Sequence, residues 1–353
     1  MAANEADFLR VRLRQRVMRD VSHIDTSTVL SGQAASMPLV LAPLGLAGMM
    51  ARRGEVQGAR AAQTAGIPFA LSTAAICSLE EVRAATLTPS WFQLYMLRDR
   101  GLVAALLERA QSVSCATLVF TVDLAVAGMR HRDSRNGVPS HSLSTRLTKS
   151  WQAATHWHWL IDVALRGKPH SFGNLGEGLP DANDQNAYRA FAVTQFDPTV
   201  TWKDIAWLRS LWPGKLLIKG VMTREDATAA ADLGADGVIV SNHGGRQLDG
   251  VASTISTLPA VVAAVADRIE VYMDGGVRSG IDVVKALALG ARGVLIGRPW
   301  IWAIAARGEK GLTDLLGVLQ QEITVAMALM GVNRIDEITS ELIEGSSELI
   351  RAS

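Results

Sequence analysis

Residues 241–249, SNHGGRQLD, place a histidine and an arginine three positions apart, with two glycines between them. The apolar, largely β-branched run at 237–240 predicts a buried strand, whose carboxyl end releases the His243 imidazole and the Arg246 guanidinium into one space. A histidine takes up a proton near neutral pH, and an arginine binds a carboxylate through two parallel hydrogen bonds. The stretch predicts a base beside a carboxylate clamp; the alternative is a loop histidine beside a surface arginine.

The elements that must position this pair alternate along the chain. Eight apolar runs predict strands at 38–42, 69–71, 91–94, 117–122, 215–218, 238–240, 270–273 and 294–296. Segments of helical character lie at 55–64, 79–85, 102–110, 202–211, 224–232, 258–266, 281–288 and from 300 onward. Eight βα units predict an α/β fold of the (β/α)8 TIM-barrel type, as a single domain over 1–353. A doubly wound open sheet is the structural alternative.

The predicted strands are apolar, but most of the residues at their carboxyl ends are polar. The first strand ends in Ala42-Pro43-Leu44-Gly45, and the other seven release polar side chains: Ser72, Thr73, Gln93, Tyr95, Thr121, Asp123, Lys219, Ser241, His243, Asp274 and Arg298. Each one alone has a structural explanation as a turn hydroxyl, a rim charge or a helix cap. Together they predict a site at the carboxyl rim, where the loops of a barrel converge.

The last two βα units predict a phosphate pocket. DGGVRSG at 274–280 and IGRPW at 296–300 each place glycine and arginine after a strand and before a helix. Exposed amides, helix amino termini and the guanidiniums of Arg278 and Arg298 suit a phosphate, and the last two strands are its usual position in a barrel.

Composition narrows the classes of function. Lys plus Arg number 35 against 34 Asp plus Glu, so no overall field favours nucleic acid. The two cysteines, Cys77 and Cys115, fit a reducing compartment, and the charged amino terminus is not a signal peptide. Because no run of about 18 apolar residues occurs, we expect a cytoplasmic protein without a spanning helix.

A long insertion is expected after the fourth barrel strand, over 130–201. Within it, residues 147–167 combine Trp151, Trp157 and Trp159 with leucines and flanking basic residues. This pattern fits an amphipathic segment on the surface of the inner membrane. It fits equally a lid or interface helix that packs its tryptophans on protein.

Several of these stretches together resemble the FMN-dependent L-2-hydroxy-acid dehydrogenases and oxidases. They are SNHGGRQLDG, LLIKG, WFQLY, FTVD with GMRHRD, and MDGGVRSG followed by ALALGARGVLIGRP. The resemblance covers residues 13–339. Within that family, RLRQRVMRDVS, GMMARRGEVQGARAA and WHWLIDVALRGKPHSFGNL are most similar to the bacterial respiratory L-lactate dehydrogenases.

The resemblance implies a TIM barrel, FMN as cofactor, no metal, and a role for each matching residue. His243 is implied as the base that takes the substrate proton, and Asp123 as the partner of its imidazolium. Arg246 and Arg130 match the family's clamp on the substrate carboxylate, and Tyr95 matches a contact to a substrate oxygen.

The resemblance also implies how FMN is held. Lys219 matches the lysine beside flavin N1 and O2, where a positive charge stabilises the reduced ring. The residues implied to line the isoalloxazine are Ala42, Pro43, Leu44, Gly45, Ser72, Gln93, Thr121 and Ser241. Asp274 matches a ribityl contact, and the phosphate end comprises Gly275, Gly276, Arg278, Gly297 and Arg298.

The implied reaction is L-lactate to pyruvate, with electrons passed to a quinone-type acceptor at the cytoplasmic face of the inner membrane by a homo-oligomer, a tetramer by family habit. The alternatives are an (S)-mandelate-type dehydrogenase and an oxidase that uses O2. The small Ala74 and Ala75 favour lactate or a larger acid over glycolate. A third alternative is an FMN-binding protein with little turnover. It arises because the family's N-terminal lead-in tyrosine is absent from a chain whose tyrosines are Tyr95, Tyr188 and Tyr272.

Overall fold

The computed structural model describes residues 1–126, 128, 148, 150–151, 154–175 and 194–344. Its strands are β1 Thr28–Leu30, β2 Gln33–Ala35, β3 Leu39–Leu41, β4 Ala70–Ser72, β5 Trp91–Tyr95, β6 Thr117–Thr121, β7 Lys215–Val221, β8 Gly237–Val240, β9 Glu270–Asp274 and β10 Gly293–Ile296. Strands β3 to β10 are the eight predicted ones, each within three residues of its predicted bounds. Only part of the expected insertion over 130–201 lies among the described residues.

The eight strands β3 to β10 form one parallel sheet in the order β3-β10-β9-β8-β7-β6-β5-β4. Its two edge strands meet through a parallel bridge between Leu41 and Phe69 and a hydrogen bond from the Leu41 amide to the Pro68 carbonyl, 3.0 Å long. The sheet therefore curves into a nearly closed barrel, and the TIM-barrel prediction is confirmed.

One residue from each barrel strand contributes to a buried cluster, which also includes Leu30 and Ala35 of β1 and β2. The strand residues are Val40, Ala70, Trp91, Val119, Leu217, Ile239, Tyr272 and Leu295. The apolar strand residues that alternate with these, such as Leu41, Phe92 and Ile218, join a larger apolar cluster between the sheet and the helices. Burial on both faces explains why these strands read as continuous apolar runs rather than as alternating patterns.

The antiparallel hairpin of β1 and β2 covers the amino-terminal end of the barrel. Gln33 Oε1 accepts a hydrogen bond from Trp91 Nε1 at 3.0 Å, and the Ser31 amide donates to Glu270 Oε2 at 3.1 Å. Since Trp91 and Glu270 begin their strands, these bonds fix the hairpin at that end and leave the carboxyl rim for a site. No sequence pattern predicted this hairpin, because its three-residue strands carry little periodicity.

The helices are α1 Ala2–Ala6, α2 Gly54–Ala65, α3 Leu79–Ala85, α4 Arg100–Ser112, α5 Trp157–Trp159, α6 Lys203–Leu211, α7 Arg224–Asp232, α8 Thr254–Val265, α9 Gly280–Ala288 and α10 Arg298–Met330. A π-helical turn, Leu160–Leu165, follows α5, and 3-10 segments lie at Asp7–Arg10, Ala47–Met49, Ala266–Arg268, Ile335–Glu337 and Ser340–Leu342. Five of the helices begin at a side chain that accepts a hydrogen bond from the amide three positions on: Ser78, Asp99, Thr223, Ser253 and Ser279. These caps fix where each crossover turns back to the sheet.

The last helix, α10, is long and apolar enough to cross a membrane by length and composition alone. Its backbone leaves helical geometry at Arg307 and Gly308, and it packs against α2 and α9. Trp300, Ile304 and Leu316 are buried on its inner face. Its packing identifies α10 as the eighth helix of the barrel.

We expect Leu316→Ala to lower the free energy of unfolding by about 2–5 kcal/mol, because truncating a fully buried leucine leaves a cavity between α10 and the barrel. Gln321→Ala in the same helix should change it by less than about 0.5 kcal/mol, since that side chain is exposed. Urea denaturation followed by circular dichroism compares the two variants. Equal losses would contradict this assignment of the two faces of α10.

Candidate active site

A polar layer lies above the apolar cluster that fills the barrel. Its residues are each two positions beyond a member of that cluster, and six of them are buried polar residues: Ser72, Gln93, Thr121, Lys219, Ser241 and Asp274. Because successive side chains of a strand alternate between the two faces, a step of two keeps each of them inside the barrel. Ala42 and Gly297, which directly follow β3 and β10, complete the layer. The structure thus brings together the residues implied to line the isoalloxazine.

Hydrogen bonds within this layer leave several polar atoms unmatched. Ser72 Oγ donates to Gln93 Oε1 at 2.9 Å, and Lys219 Nζ donates to Ser241 Oγ at 2.8 Å. Within the described part of the chain, Gln93 Nε2, Thr121 Oγ1 and Asp274 Oδ1 are buried without a hydrogen-bond partner. A buried donor or acceptor without a partner is costly, so these atoms suit a ligand that presents its own polar edge. Donors, acceptors and a cation in one buried layer fit a flavin ring and its ribityl hydroxyls.

Lys219 carries the positive charge of this layer. Its Nζ lies 2.9 Å from Asp274 Oδ2. Burial disfavours the ammonium form, but the charges of Asp274 and Asp123 outweigh burial and raise the pKa of Lys219. A charged ammonium therefore stands inside the barrel, close to the unmatched atoms.

His243 and Asp123 form a pair beside the layer. The Nδ1 atom of His243 lies 2.9 Å from Asp123 Oδ1. Burial opposes ionisation of Asp123, but the hydrogen bond from His243 and the charge of Lys219 outweigh it and lower the pKa of Asp123. The ionised carboxylate accepts the Nδ1 proton, which leaves the lone pair on Nε2. The pair is arranged to take up a proton at Nε2 and to stabilise the resulting imidazolium.

The main chain around the pair is shaped to bring it together. His243 has a left-handed φ of +56°, and its amide donates to Ser241 Oγ at 3.1 Å. Gly220 has φ of +105°, and a Cβ there would lie 2.7 Å from Asp123 Cβ. A side chain at Gly220 would therefore displace Asp123. Neither requirement was identified from the sequence.

The turn after β8 is also held from the amino terminus of the chain. Asn4 and Asn242 exchange two side-chain hydrogen bonds, both 2.8 Å long, and Asn242 Oδ1 accepts from the Gly245 amide at 3.0 Å. Asn4 is buried. This contact was not predictable from the sequence, because 238 positions separate the two asparagines and no local pattern marks a pair so far apart.

The predicted substrate contacts are placed unevenly. Arg246 is exposed in the same loop as His243, and Tyr95 ends β5, with its ring packed edge-on against Phe196 at 5.3 Å. Arg130 lies outside the described residues. The carboxylate clamp of Arg130 and Arg246 stays a prediction.

Two guanidiniums mark the predicted phosphate end. Arg298 Nη2 donates to the Gly244 carbonyl at 2.7 Å, while Arg278 pairs with Glu5 at 2.7 Å and lies 5.3 Å from the Trp302 ring. Burial, and next the positive charge of Arg278, lower the pKa of Arg298. An anion would relieve both effects, so the pair suits a phosphate.

The glycines at this end have a packing role. Gly275 and Gly276 have φ of +92° and +88°, and a Cβ at Gly276 would lie 1.8 Å from the Asn4 carbonyl oxygen. They admit the amino-terminal segment across the end of β9, whereas a Cβ at Gly297 would make only ordinary contact with Leu44, at 3.6 Å. Their contact with phosphate stays a prediction.

The segment after β3 lies at the same rim. The Ala42 carbonyl accepts from Trp300 Nε1 at 3.1 Å, and a Cβ at Gly45 would lie 3.3 Å from Ala74 Cβ. Pro43 and Leu44, both part-buried, connect these two positions. These contacts place the segment Ala42–Gly45 at the rim, and its contact with the isoalloxazine stays a prediction.

Comparison with known proteins agrees with this geometry. The sequence model of the family described as FMN-dependent dehydrogenase matches residues 1–345. The L-lactate dehydrogenase of Caulobacter vibrioides (strain NA1000 / CB15N) is 52% identical over 343 residues, which are 97% of this chain and 89% of the relative. The L-lactate dehydrogenase of Alcaligenes faecalis is 48% identical over 340 residues, 96% of this chain and 89% of the relative.

Solved structures show the same similarity. A crystal structure of the monotopic membrane protein (S)-mandelate dehydrogenase superposes with a TM-score of 0.90 at 36% identity, covering 97% of this chain and 90% of that one. A structure of mandelate oxidase with (S)-2-phenylpropionate has a TM-score of 0.79 at 36% identity, covering 96% and 87%.

We expect Arg298→Met to weaken FMN binding about 10- to 100-fold and to leave riboflavin binding nearly unchanged, because the lost guanidinium would contact only the phosphate. Quenching of flavin fluorescence on titration of the apoprotein measures both affinities. Arg292→Met is the matched control, since the Arg292 guanidinium bonds to the Val29 carbonyl of the hairpin at the opposite end of the barrel. Equal weakening of FMN and riboflavin would contradict a phosphate contact.

Proposed function

The chain belongs to the FMN-dependent dehydrogenase family, and on that premise we propose that it oxidises L-lactate to pyruvate. The observation that carries the proposal is the His243–Asp123 pair, 2.9 Å apart, beside the buried ammonium of Lys219. Oxidation of a 2-hydroxy acid requires a base that can take a proton from the substrate, and this base must lie next to the polar layer that would hold the cofactor. FMN, when bound, would accept the two electrons of the oxidation together with the second hydrogen that the substrate loses.

The other steps of the proposed reaction are assigned to individual residues of the chain. Nε2 of His243 takes a proton from the substrate, and the Asp123 carboxylate stabilises the imidazolium that forms. Arg246 binds the substrate carboxylate from the rim, and Tyr95 contacts a substrate oxygen. Lys219 would supply a fixed positive charge to the bound ring, which would stabilise negative charge on its reduced form. Gln93, Thr121 and Asp274 offer their unmatched atoms to the cofactor.

Two observations bear on the substrate. Relatives at 52% and 48% identity are L-lactate dehydrogenases. Ala74, part-buried after β4, would leave room in the proposed site for a side chain larger than hydrogen, whereas Ala75 is buried in the apolar cluster between the sheet and the helices. Oxidation of (S)-mandelate is the second candidate, favoured by the TM-score of 0.90 to (S)-mandelate dehydrogenase.

The site of action in this proposal is the cytoplasmic face of the inner membrane, with a quinone as electron acceptor. Its support is the interfacial surface, which we define as Trp151, Trp157, Trp159, Ile161 and Leu165. These side chains are 72%, 54%, 38%, 38% and 58% exposed. Trp159 Nε1 donates to the Met49 carbonyl at 2.9 Å, and Arg52 pairs with Asp162 at 3.2 Å. The segment is thus attached to the barrel with its apolar residues outward, as an amphipathic membrane anchor requires.

A homo-oligomer, expected to be a tetramer, completes the proposal. Val318, Val325 and Leu329 are about half exposed and recur on one face of α10. An apolar stripe of this kind suits contact with a second copy.

We expect anaerobic L-lactate to bleach the flavin absorbance of the holoenzyme, with a higher kcat/KM than glycolate or L-mandelate. The reason is a pocket with room for a methyl group, which glycolate would leave empty. Stopped-flow absorbance with each acid measures the order. A preference for glycolate would refute the pocket argument, and a preference for L-mandelate would favour the second candidate.

His243→Asn tests the base within the same assay. The variant should retain FMN and lose about 10²- to 10⁴-fold in the rate of bleaching, the usual contribution of a positioned base. His23→Asn, at an exposed histidine remote from the rim, is the control. A His243→Asn rate within a few-fold of wild type would exclude His243 as the base.

We expect the triple substitution Trp151→Gln, Trp157→Gln and Leu165→Gln to weaken partition onto anionic lipid vesicles at least about tenfold, because each exposed apolar side chain contributes to burial in the interface. Co-sedimentation with vesicles measures the bound fraction, and flavin bleaching should persist. Trp302→Gln is the control, since Trp302 is 56% exposed on α10, outside the interfacial surface. A wild-type protein that stays wholly in the supernatant would contradict the membrane proposal.

A further inference from the structure

The loop that carries Asp123 leaves the barrel sheet just before that residue. The last backbone hydrogen bond between this part of the chain and β7 is donated by the Val122 amide to the Lys219 carbonyl, at 2.9 Å. From Asp123 to Gly128 the described main chain lies beyond the sheet. The catalytic carboxylate therefore stands on a segment that the β-ladder does not hold.

The side chain of Gln247 bonds to this segment at three points. Its Nε2 donates to the Asp123 carbonyl at 2.9 Å and to the Val126 carbonyl at 3.1 Å. Its Oε1 accepts from the Gly128 amide at 3.2 Å. One amide group thus matches two main-chain acceptors and one main-chain donor of the same loop, a pattern that only an amide side chain of this length satisfies.

The two loops also touch directly. A Cβ at Gly128 would lie 2.5 Å from the Arg246 carbonyl oxygen. Asp123 is consequently attached to the loop after β8 twice, by its carboxylate to His243 and by its own carbonyl to Gln247. Both attachments come from residues four positions apart in the sequence.

We propose that Gln247 is a positioning residue, which holds the main chain of Asp123 so that its carboxylate stays on Nδ1 of His243. The inference deepens the proposed function, because it assigns a further residue to the same proton-accepting pair. Gln247 acts on the reaction through Asp123, because its hydrogen bonds go to the loop that carries Asp123 and not to the residues of the polar layer. Its loss should therefore affect the base and spare the cofactor.

The test compares Gln247→Met with wild-type holoenzyme. We expect kcat with L-lactate and a dye acceptor to fall about tenfold, with a smaller change in KM and unchanged FMN content, since two to three neutral hydrogen bonds are lost. The Nδ1–H proton of His243 provides a reading independent of turnover. In protein labelled with ¹⁵N-histidine, its resonance, assigned by its absence in His243→Asn, should move upfield and exchange faster with solvent.

Two further variants separate positioning from general stability. Gln247→Glu keeps the size of the side chain and the hydrogen-bond acceptor but loses the donor. It should show the same fall in kcat and the same upfield movement of the Nδ1–H resonance. Gln57→Met is the matched control, because Gln57 also bridges a carbonyl and an amide, those of Arg52 at 2.6 Å and Glu309 at 2.8 Å, between α2 and α10. It should lower thermal stability while leaving kcat and the Nδ1–H resonance at wild-type values.

A double-mutant cycle completes the design. In an Asp123→Asn background, Gln247→Met should lower kcat by less than about twofold, because the carboxylate through which Gln247 acts is already absent. The proposal is overturned if the two losses multiply, or if the Nδ1–H resonance of Gln247→Met matches wild type. If no 2-hydroxy acid reduces the wild-type flavin, the proposed function fails, and the resonance alone still decides the role of Gln247.

Discussion

A buried ammonium is the constraint on which the rest of the site depends. Lys219 is 5% exposed inside the barrel, and a charge in such a position is stable only with partners close by. Asp274 supplies a carboxylate at 2.9 Å, Ser241 supplies a hydroxyl at 2.8 Å, and the charge of Asp123 contributes from the neighbouring loop. Because these partners come from different strands, the ammonium ties the carboxyl ends of β6 to β9 to one another. Burial opposes ionisation of Asp123, but the hydrogen bond from His243 and next the charge of Lys219 lower the pKa of Asp123, and the ionised carboxylate holds the proton of His243 on Nδ1.

The two ends of the barrel are built for opposite purposes. At the amino-terminal end, the β1–β2 hairpin satisfies Trp91 and Glu270 and seals the core. At the carboxyl end, polar atoms of Gln93, Thr121 and Asp274 are buried without partners within the described residues. Unmatched buried groups reduce stability, so their concentration at one end marks the place where a ligand completes the structure. The satisfied hydrogen bonds at the amino-terminal end help to offset the free-energy cost of the unmatched polar atoms at the carboxyl end.

Residues far apart in the chain converge on His243. Gly220 gives Asp123 room to approach, Asn4 fixes the turn through Asn242, and Gln247 holds the loop of Asp123. A histidine at φ of +56° is strained, and these contacts are what keep it in place. Orientation of the His243 imidazole is thus distributed over the amino-terminal segment, β7 and two loops. The interfacial surface stands apart from this network, which fits a separate role in attachment.

The sequence by itself determined the barrel and the layer of polar residues at its rim. Eight apolar runs separated by helical segments fix the order and the type of the elements, and the residues that end each run fix the chemistry, since both are local properties of the chain. The family resemblance implied that Asp123 pairs with His243, and the tertiary structure places the two groups 2.9 Å apart. Tertiary structure alone decided that Gly275 and Gly276 make room for Asn4, and that Gln247 bonds to the loop of Asp123. Those contacts join residues more than a hundred positions apart, and closure of the sheet brings them together. No periodicity or motif carries that information, because it depends on which strand ends become neighbours in space.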